Sequence, residues 1–160
     1  PGRIPSGTIN RETVVAGVDL LPTLVDLAGA SLPDGYRSDG VNLSTAFLGA
    51  RTPRRGRPIF WEYNSLGGNI VPGLQKDRSP DLAMRDGSWK VLLDADGSGL
   101  ELYDLRADRD ESRDLAERYP RRARRMGERL LRWYHRDLPS PAGAVRRPDI
   151  EVGAFGLSAP

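Results

Sequence analysis

The chain of 160 residues is 38% hydrophobic and 29% charged, a composition typical of soluble globular proteins rather than disordered or membrane-spanning ones. Its formal net charge of +2 is too small to indicate a nucleic-acid partner by itself. No apolar run approaches the ~18 residues of a membrane-spanning helix, so no membrane partner is predicted. Because there is no cysteine, disulfides and thiol chemistry are excluded and the cellular compartment is left open.

An apolar helix is the strongest local signal near the start of the chain. Residues 18–29, VDLLPTLVDLAG, carry leucines at helical spacing, with Asp19 as a candidate N-cap and Gly29 as a stop signal. Pro22 falls in the first turn, where its missing N–H breaks no hydrogen bond. Residues 13–17, TVVAG, predict a short buried strand that leads into this helix. Because this helix is so apolar, we expect it to be buried against a sheet.

The middle of the chain alternates loops with short elements. Residues 30–42 are rich in Pro, Asp and Gly and predict a loop, and residues 43–49 predict a short helix that ends at a glycine. Residues 51–57 are a basic, proline-containing surface loop. The aromatic residues 58–63 then predict a strand, and the polar residues 64–81 predict a long loop of a kind that is often functional.

Three further strands follow at short intervals, at residues 82–85, 89–93 and 100–105. Asp86-Gly87 is a two-residue hairpin signal between the first two, so the strands predict an antiparallel sheet. After a charged linker over residues 106–117, apolar side chains recur at three- and four-residue steps and predict a helix that packs across the sheet. This helix spans residues 120–137, and an irregular tail follows from Leu138.

Four local motifs suggest chemistry, but the residues favour structural roles. Residues 94–99, DADGSG, resemble the start of a calcium loop, yet Leu105 stands where an EF-hand needs glutamate, which favours a strand-connecting turn. The arginines within residues 121–125 lie on the solvated face of the helix, so no nucleic-acid partner is predicted. His135 has no carboxylate or second histidine at a convincing spacing. Residues 31–35, SLPDG, are typical of a loop.

Several stretches, taken together and in one order, resemble the type I sulfatases, which are arylsulfatase-like enzymes of the alkaline-phosphatase superfold. The resemblance covers about residues 1–138. Each motif is short, but the set in this order is fairly specific to the family. The matching stretches are PGRIPSG (1–7) with VDLLPTL (18–24), DGVNL (39–43), MRDGSWKVL (84–92), and LYDL (102–105) followed by Asp108, Glu111 and Leu115-Ala116.

The resemblance implies an α+β fold. A small four-stranded antiparallel sheet packed by a C-terminal helix would be preceded by the last strand and helix of a larger α/β domain. Residues 1–56 would be the partial C-terminal end of the α/β catalytic domain. Residues 57–138 would form the antiparallel subdomain, and residues 139–160 the irregular tail.

The resemblance also implies hydrolysis of a small-molecule sulfate ester. In the family the nucleophile is a formylglycine made from a Cys/Ser-x-Pro-x-Arg motif, beside a Ca²⁺ ion. The only near match here, residues 31–35, has Gly35 in place of the arginine and is rejected as a nucleophile. No catalytic or metal-binding residue is therefore predicted, and the chain is expected to be inactive alone.

Three residues are candidates for the rim of the substrate pocket. In many sulfatases the strand that matches residues 60–62 continues into a histidine near the pocket mouth, and Tyr63 and Asn64 stand there in this sequence. Lys76 lies near the end of the long loop. We expect Tyr63, Asn64 and Lys76 to orient the organic part of the ester or its anionic group. The alternative is a loop that faces only solvent.

Two other functions stay open. The first is hydrolysis of phosphate or phosphonate esters on the same superfold, because the nucleophile and the metal ligands that discriminate these activities are outside this sequence. The second is a free-standing, non-enzymatic binding module derived from the small subdomain. A third, nucleic-acid binding through the arginine-rich helix, would require steep salt dependence and is not favoured.

Overall fold

The structure is a computed structural model that describes residues 2–50, 55–63 and 79–137. It divides into two compact units, Pro1–Arg57 and Pro58–Pro160, which we call unit 1 and unit 2. Among the described residues, no helix is both long and apolar enough to cross a bilayer.

The described residues of unit 1 form two α-helices joined by a long loop. A 3₁₀ turn at Gly17–Asp19 leads directly into α1 at Leu20–Leu27, and α2 spans Ser44–Phe47. Gly29 follows α1 with a φ of 69°, in the left-handed region that ends many helices. The predicted helix and its stop signal are therefore present, although the first turn is tighter than an α-helix.

Residues 13–17 do not form the expected strand. Ala16 has an extended backbone, with φ −122° and ψ 160°, but residues 13–17 are not part of a β-strand in the described chain. A strand needs a neighbour to satisfy its backbone hydrogen bonds, and the described part of unit 1 contains no strand. The β-branched side chains of residues 13–15 favour an extended backbone, but they do not provide a neighbouring strand.

Asp19 is not the simple N-cap that its position predicted. It has helical backbone angles, and its carboxylate accepts hydrogen bonds from the N–H of Ala16 at 2.8 Å and from the N–H of Val41 at 2.9 Å. Arg55 adds an ion pair at 2.5 Å, and the Asp19 side chain is fully buried. One carboxylate thus joins the start of the helix, the loop after Gly40 and the end of unit 1.

Thr23, one helical turn after Asp19, and Gly40, in the returning segment, add two further contacts. The Thr23 hydroxyl accepts a hydrogen bond from the N–H of Leu43 at 3.0 Å, so two side chains at i and i+4 hold the returning segment. Gly40 passes so close to the 3₁₀ turn before α1 that a Cβ built on it would lie 2.0 Å from the carbonyl oxygen of Val18. The polar face of α1 is therefore the buried one.

The apolar face of α1 consequently departs from the prediction of burial against a sheet. Leu20, Leu21 and Leu24 are 46%, 47% and 56% exposed. The buried positions of the helix are Pro22 and Thr23. Hydrogen bonds to Asp19 and Thr23 orient α1, which leaves its leucines on the surface of the described chain.

Unit 2 is an antiparallel sheet covered by one helix, as predicted. Its four strands follow the order β1-β2-β3-β4, and α3 spans Pro120–Arg132 before a π-helical segment at Trp133–Asp137. The strands are β1 at Ile59–Glu62, β2 at Leu82–Asp86, β3 at Trp89–Leu93 and β4 at Glu101–Asp104.

The β2–β3 hairpin is confirmed, with its loop one residue later than the sequence signal. Asp86 still pairs with Trp89, so the two loop residues are Gly87 and Ser88. Gly87 has a φ of 63°, and two-residue hairpin loops require such an angle at their first central position because it matches the twist of the strands.

The core of unit 2 lies between α3 and one face of the sheet. The α3 side chains that point inward share helical spacing, and the strand side chains share one face by period-two alternation. Phe60 extends the core with a stacked contact to Trp133, whose ring centroid lies 4.9 Å away. The buried core residues are Leu82, Met84, Val91, Leu93, Leu102, Ala116, Ala123, Met126, Leu130 and Leu131.

The segment after β4 covers the outer edge of the sheet. The N–H of Leu102 donates to the carboxylate of Asp114 at 2.9 Å, and the N–H of Leu115 donates to the carbonyl of Leu102 at 2.8 Å. Covering an edge in this way satisfies backbone groups that would otherwise attract another chain. The motif around residues 114–116 therefore has a structural role.

Candidate functional site

The second face of the sheet, opposite α3, carries a different set of side chains. Phe60 and Met84 point to the core, so alternation places Trp61, Ala83 and Arg85 on the opposite face. Lys90 is the register partner of Arg85 on β3 and shares that face. Aromatic and charged side chains thus meet on a surface that α3 does not cover.

A depression of about 550 Å³ lies on this face. Its most exposed aromatic side chains are Trp61, 42% exposed, and Tyr63, 45% exposed. Ala83 faces Trp61 across the β1–β2 pair, so a small side chain forms the floor beside a large aromatic wall. The lining is completed by Ser79, Pro80, Asp81, Leu82, Arg85, Lys90, Leu92, Leu105 and Glu111.

One wall of the depression is an ion pair. The Nζ of Lys90 lies 2.7 Å from both carboxylate oxygens of Glu111, so the two charges largely cancel. Glu111 has a φ of 54°, a left-handed angle that non-glycine residues adopt at some energetic cost. The contact with Lys90 helps to hold this conformation and directs the Glu111 carboxylate toward the sheet.

Arg85 stands beside this pair. Its Nε donates to the carbonyl of Gly87 at 3.0 Å, and its two terminal nitrogens have no acceptor among the described residues. Burial lowers the pKa of Arg85, while the nearby charge of Glu111 acts in the opposite direction. A guanidinium always stays protonated at physiological pH, so the consequence is a partly desolvated cation facing the depression.

Tyr103, the register partner of Lys90 on β4, is buried and donates its hydroxyl to Glu101 at 2.9 Å. Burial and the adjacent Glu101 raise the pKa of Tyr103 above its ordinary value. The phenol therefore stays neutral at physiological pH and acts as a hydrogen-bond donor, not as a base.

The structure places one of the three predicted rim residues in the depression. Tyr63 follows β1 and lines it, whereas Asn64 and Lys76 lie outside the described residues. Sequence patterns did not single out Trp61, Arg85, Lys90 or Glu111 as lining residues. The strand pattern could have indicated Trp61, because side chains two residues apart on a strand lie on the same face and Trp61 is two residues before Tyr63.

The other sequence motifs have structural roles in the described chain. Residues 94–99 form the turn between β3 and β4, where the N–H of Ser98 donates to Asp96 at 2.8 Å. The Arg122 guanidinium lies 4.1 Å from the ring centroid of Trp89, a cation–π contact on the core helix. His135 packs edge-on against Tyr134 with ring centroids 5.0 Å apart.

The described residues do not fit the calcium and formylglycine that the resemblance implies. No group of three or more His, Cys, Asp or Glu side chains within the described ranges is placed to hold a metal ion. Residues 31–35 lie in an irregular loop, and Gly35 has a φ of 77° where the family motif would require an arginine. We therefore assign this chain no catalytic step through either group.

Comparison with known proteins identifies relatives of the chain. No protein-family model matches it. It is 38% identical to human arylsulfatase G over 78 residues, which are 49% of this chain and 14% of that protein. It is 33% identical to the choline-sulfatase of Rhizobium meliloti over 142 residues, which are 84% of this chain and 24% of that protein.

A solved structure shares the fold. Ps i-CgsB, known also in complex with k-i-k-neocarrahexaose, is 25% identical, with a TM-score of 0.56 over 78% of this chain and 25% of that one. The chain thus spans a quarter or less of the proteins that it matches here. The sulfatase relatives, the antiparallel sheet and its helix together identify the chain as a sulfatase homologue that corresponds to a C-terminal portion of these longer enzymes.

Proposed function

We propose that this chain contributes to the hydrolysis of a small-molecule sulfate ester and acts only together with a region that carries the nucleophile and the metal. The supporting observation is the match to choline-sulfatase, because it extends over 84% of this chain but only 24% of that enzyme. The arylsulfatase G match, over 14% of that protein, agrees with a partial correspondence.

The chemistry of bond cleavage belongs to that other region. A formylglycine supplies the nucleophile in this family, and Ca²⁺ neutralises the charge of the sulfate group. The chain itself has no cysteine, and its described residues hold no metal-binding cluster. We therefore assign it no catalytic residue and expect it to be inactive alone.

The contribution of this chain is a wall of the substrate pocket. Tyr63 supports this assignment, because it is 45% exposed at the end of β1 and lines the depression on the open sheet face. Asn64 is its neighbour in the sequence, and Lys76 would supply a cation from the same loop. The three side chains would orient the organic part of the ester or its anionic group.

A comparison of the chain alone with the chain joined to the region encoded before it tests the proposal. Hydrolysis of p-nitrophenyl sulfate and p-nitrophenyl phosphate is measured for both proteins. We expect sulfate hydrolysis by the joined protein only. Phosphate hydrolysis alone would favour the phosphate or phosphonate ester enzyme, and no hydrolysis by either would favour a binding module.

The encoded region offers an independent check. A Cys/Ser-x-Pro-x-Arg segment before this chain is expected, because it carries the residue that becomes formylglycine. Replacing its Cys or Ser with Ala should abolish hydrolysis without altering the fold of unit 2. Absence of such a segment, or undiminished hydrolysis by the Ala variant, would contradict the proposal.

A further inference from the structure

Four steps in the chain join an aspartate directly to a glycine, at residues 34–35, 39–40, 86–87 and 96–97. Such a step is prone to isomerisation, because glycine has no Cβ to obstruct the approach of its nitrogen to the aspartate side chain. We propose that Asp34 is a modification site, where the aspartate converts spontaneously to isoaspartate, and that the fold protects the other three steps. This proposal does not depend on the proposed hydrolysis of a sulfate ester.

The conversion needs no reactant other than water. The backbone nitrogen of Gly35 forms a bond to Cγ of Asp34, the carboxyl oxygen leaves as water with the amide proton, and a five-membered succinimide closes. Water then adds to the former backbone carbonyl of Asp34 and breaks its bond to the nitrogen. The chain is now connected through Cγ, with an additional methylene in the backbone and a free α-carboxylate, and its overall composition is unchanged.

The surroundings of Asp34 and Gly35 leave both reacting groups available in the described chain. The two residues lie at the centre of a β-turn, in which the N–H of Tyr36 donates to the carbonyl of Pro33 at 3.0 Å. Among the described residues, neither the Asp34 carboxylate nor the Gly35 N–H has a hydrogen-bond partner. A Cβ built on Gly35 would meet no atom within 4 Å. A surface turn closed by a single hydrogen bond can open locally and bring the two groups together.

The nitrogens of Gly40 and Gly97 are held by hydrogen bonds. The N–H of Gly40 donates to the hydroxyl of Ser38 at 3.2 Å, and the backbone there is packed against Val18. The N–H of Gly97 donates to the carbonyl of Asp94 at 2.9 Å. Because each hydrogen bond must break before the nitrogen can turn toward the preceding carboxyl group, both steps should react more slowly than the step at Asp34.

The step at Asp86 is protected by the β2–β3 hairpin. Asp86 is still paired with Trp89, so the peptide that joins it to Gly87 belongs to a two-residue loop closed by the strand ladder. The Asp86 carboxylate also lies 3.2 Å from the guanidinium of Arg129 on α3. Closure of a succinimide would have to turn this peptide and withdraw the carboxylate from Arg129, which requires opening of the hairpin.

Isoaspartate at residue 34 would change the chemistry of the loop after α1. Its free α-carboxylate is the methyl acceptor of protein L-isoaspartyl methyltransferases, whose methyl donor is S-adenosylmethionine. The added methylene would lengthen the loop only at the turn. Asp19 and Thr23 hold Val41 and Leu43 outside that turn, so we expect the rest of unit 1 to stay folded.

Peptide mapping of the aged chain tests the proposal. The folded 160-residue chain is kept at neutral pH and physiological temperature and then digested, and isoaspartate at each of the four positions is identified by fragmentation mass spectrometry. Methyl incorporation from labelled S-adenosylmethionine measures the total. We expect isoaspartate to accumulate at Asp34 at least about tenfold faster than at Asp39, Asp86 or Asp96.

The same chain unfolded in guanidinium chloride is the matched control. Without the fold, all four steps should react at similar rates, because each joins the same two residues. Equal rates at the four positions of the folded chain would overturn the proposal. A faster rate at Asp39, Asp86 or Asp96 than at Asp34 in the folded chain would overturn it as well.

A variant tests the assignment to Asp34. Asp34→Glu should abolish most of the methyl incorporation, because the longer side chain would have to close a six-membered ring, which forms much more slowly. Asp39→Glu, the same change at another Asp-Gly step, should leave methyl incorporation unchanged. The amide spectrum of α1 shows whether each variant is folded, and undiminished incorporation in folded Asp34→Glu would overturn the proposal.

Discussion

Asp19 connects three segments of unit 1 through one buried carboxylate. Burial by itself would raise its pKa, but the hydrogen bonds from Arg55, Val41 and Ala16 outweigh burial and lower the pKa below the ordinary value of 3.8. A carboxylate with a lowered folded-state pKa stabilises the fold at a pH above its unfolded pKa. That stabilisation is lost as the pH falls through the folded-state pKa.

We expect Asp19→Asn to destabilise unit 1 by about 2–4 kcal/mol at pH 7, because Arg55 then loses its buried partner. The difference from the unsubstituted chain should shrink as the pH falls below the ordinary aspartate pKa of about 4 and then through the lower folded-state pKa of Asp19. Hydrogen exchange of the α1 amides at pH 7 and below about pH 4 measures this difference in stability. Asp34→Asn, at an exposed loop position, is the control, and an equal loss at both pH values would contradict the assignment.

The predicted rim residues Tyr63 and Lys76 should affect the turnover of the sulfate ester. In the joined enzyme, Tyr63→Phe and Lys76→Ala should each lower kcat/KM for the sulfate ester by about 3- to 30-fold, because each removes one hydrogen bond or charge contact with the substrate. Steady-state kinetics measures the effect. Tyr36→Phe, which changes an exposed tyrosine of unit 1, should leave kcat/KM unchanged. Unchanged kinetics in both rim variants would rule out the rim assignment.

At the scale of elements, α1 and the returning segment after it form one hydrogen-bonded assembly. Asp19 and Thr23 accept the N–H groups of Val41 and Leu43, and Gly40 allows the two backbones to meet. The motifs at residues 18–24 and 39–43, which carried the resemblance to sulfatases, are therefore the two sides of a single contact. Their polar and glycine residues are explained by packing rather than by catalysis.

Gly40→Ala should destabilise unit 1 by several kcal/mol, because the new Cβ would lie 2.0 Å from the Val18 carbonyl and the backbone would have to move. Urea unfolding followed by the α1 amide resonances measures the change. Gly56→Ala is a matched control in the same unit, since a Cβ there meets no atom within 4 Å. Equal stability of the two variants would show that the segments do not pack as described.

The sheet of unit 2 has two faces that differ in composition. The face toward α3 is a continuous apolar core, and the helix presents Ala123, Met126 and Leu130 to it at helical spacing. The opposite face holds Trp61 and Arg85 beside the Lys90–Glu111 pair. Because strand side chains alternate, a single set of four strands can build an apolar core on one side and a surface of aromatic and charged side chains on the other.

At the scale of the whole molecule, the described residues include a group of exposed apolar side chains in unit 1. Val18, Leu20, Leu21 and Leu24 cluster at α1 and are each 46–56% exposed among the described residues. Large exposed apolar patches mark surfaces that contact another protein segment or cause aggregation. We therefore expect this patch to contact another protein segment.

The chain expressed alone should therefore self-associate and bind a hydrophobic dye, and Leu20→Lys with Leu24→Glu should reduce both without lowering the melting temperature of unit 2. Light scattering and dye fluorescence measure the outcome. Arg124→Glu, at an exposed position of α3, is the control. A monodisperse chain with a cooperative melt and no dye binding would instead support the free-standing binding module.

Local patterns in the sequence determined most of the secondary structure. The leucine spacing and Gly29 predicted α1, the hairpin signal at Asp86-Gly87 predicted the β2–β3 pair, and the apolar steps after Pro120 predicted α3. These features depend on contacts within a few residues, such as the left-handed angle at a helix end, so the sequence carries them directly. The motif set also identified the sulfatase family.

The tertiary structure alone decided which faces are buried. Leucine periodicity did not predict that Asp19 and Thr23 are buried in the described chain, because the burial of Asp19 depends on Arg55 and Val41, which are distant in the sequence. Likewise, only the register of the sheet places Arg85 on the same face as Trp61 and beside the Lys90–Glu111 ion pair. Ion pairs and strand pairing between residues distant in the sequence determine these environments, and a local sequence pattern does not encode them.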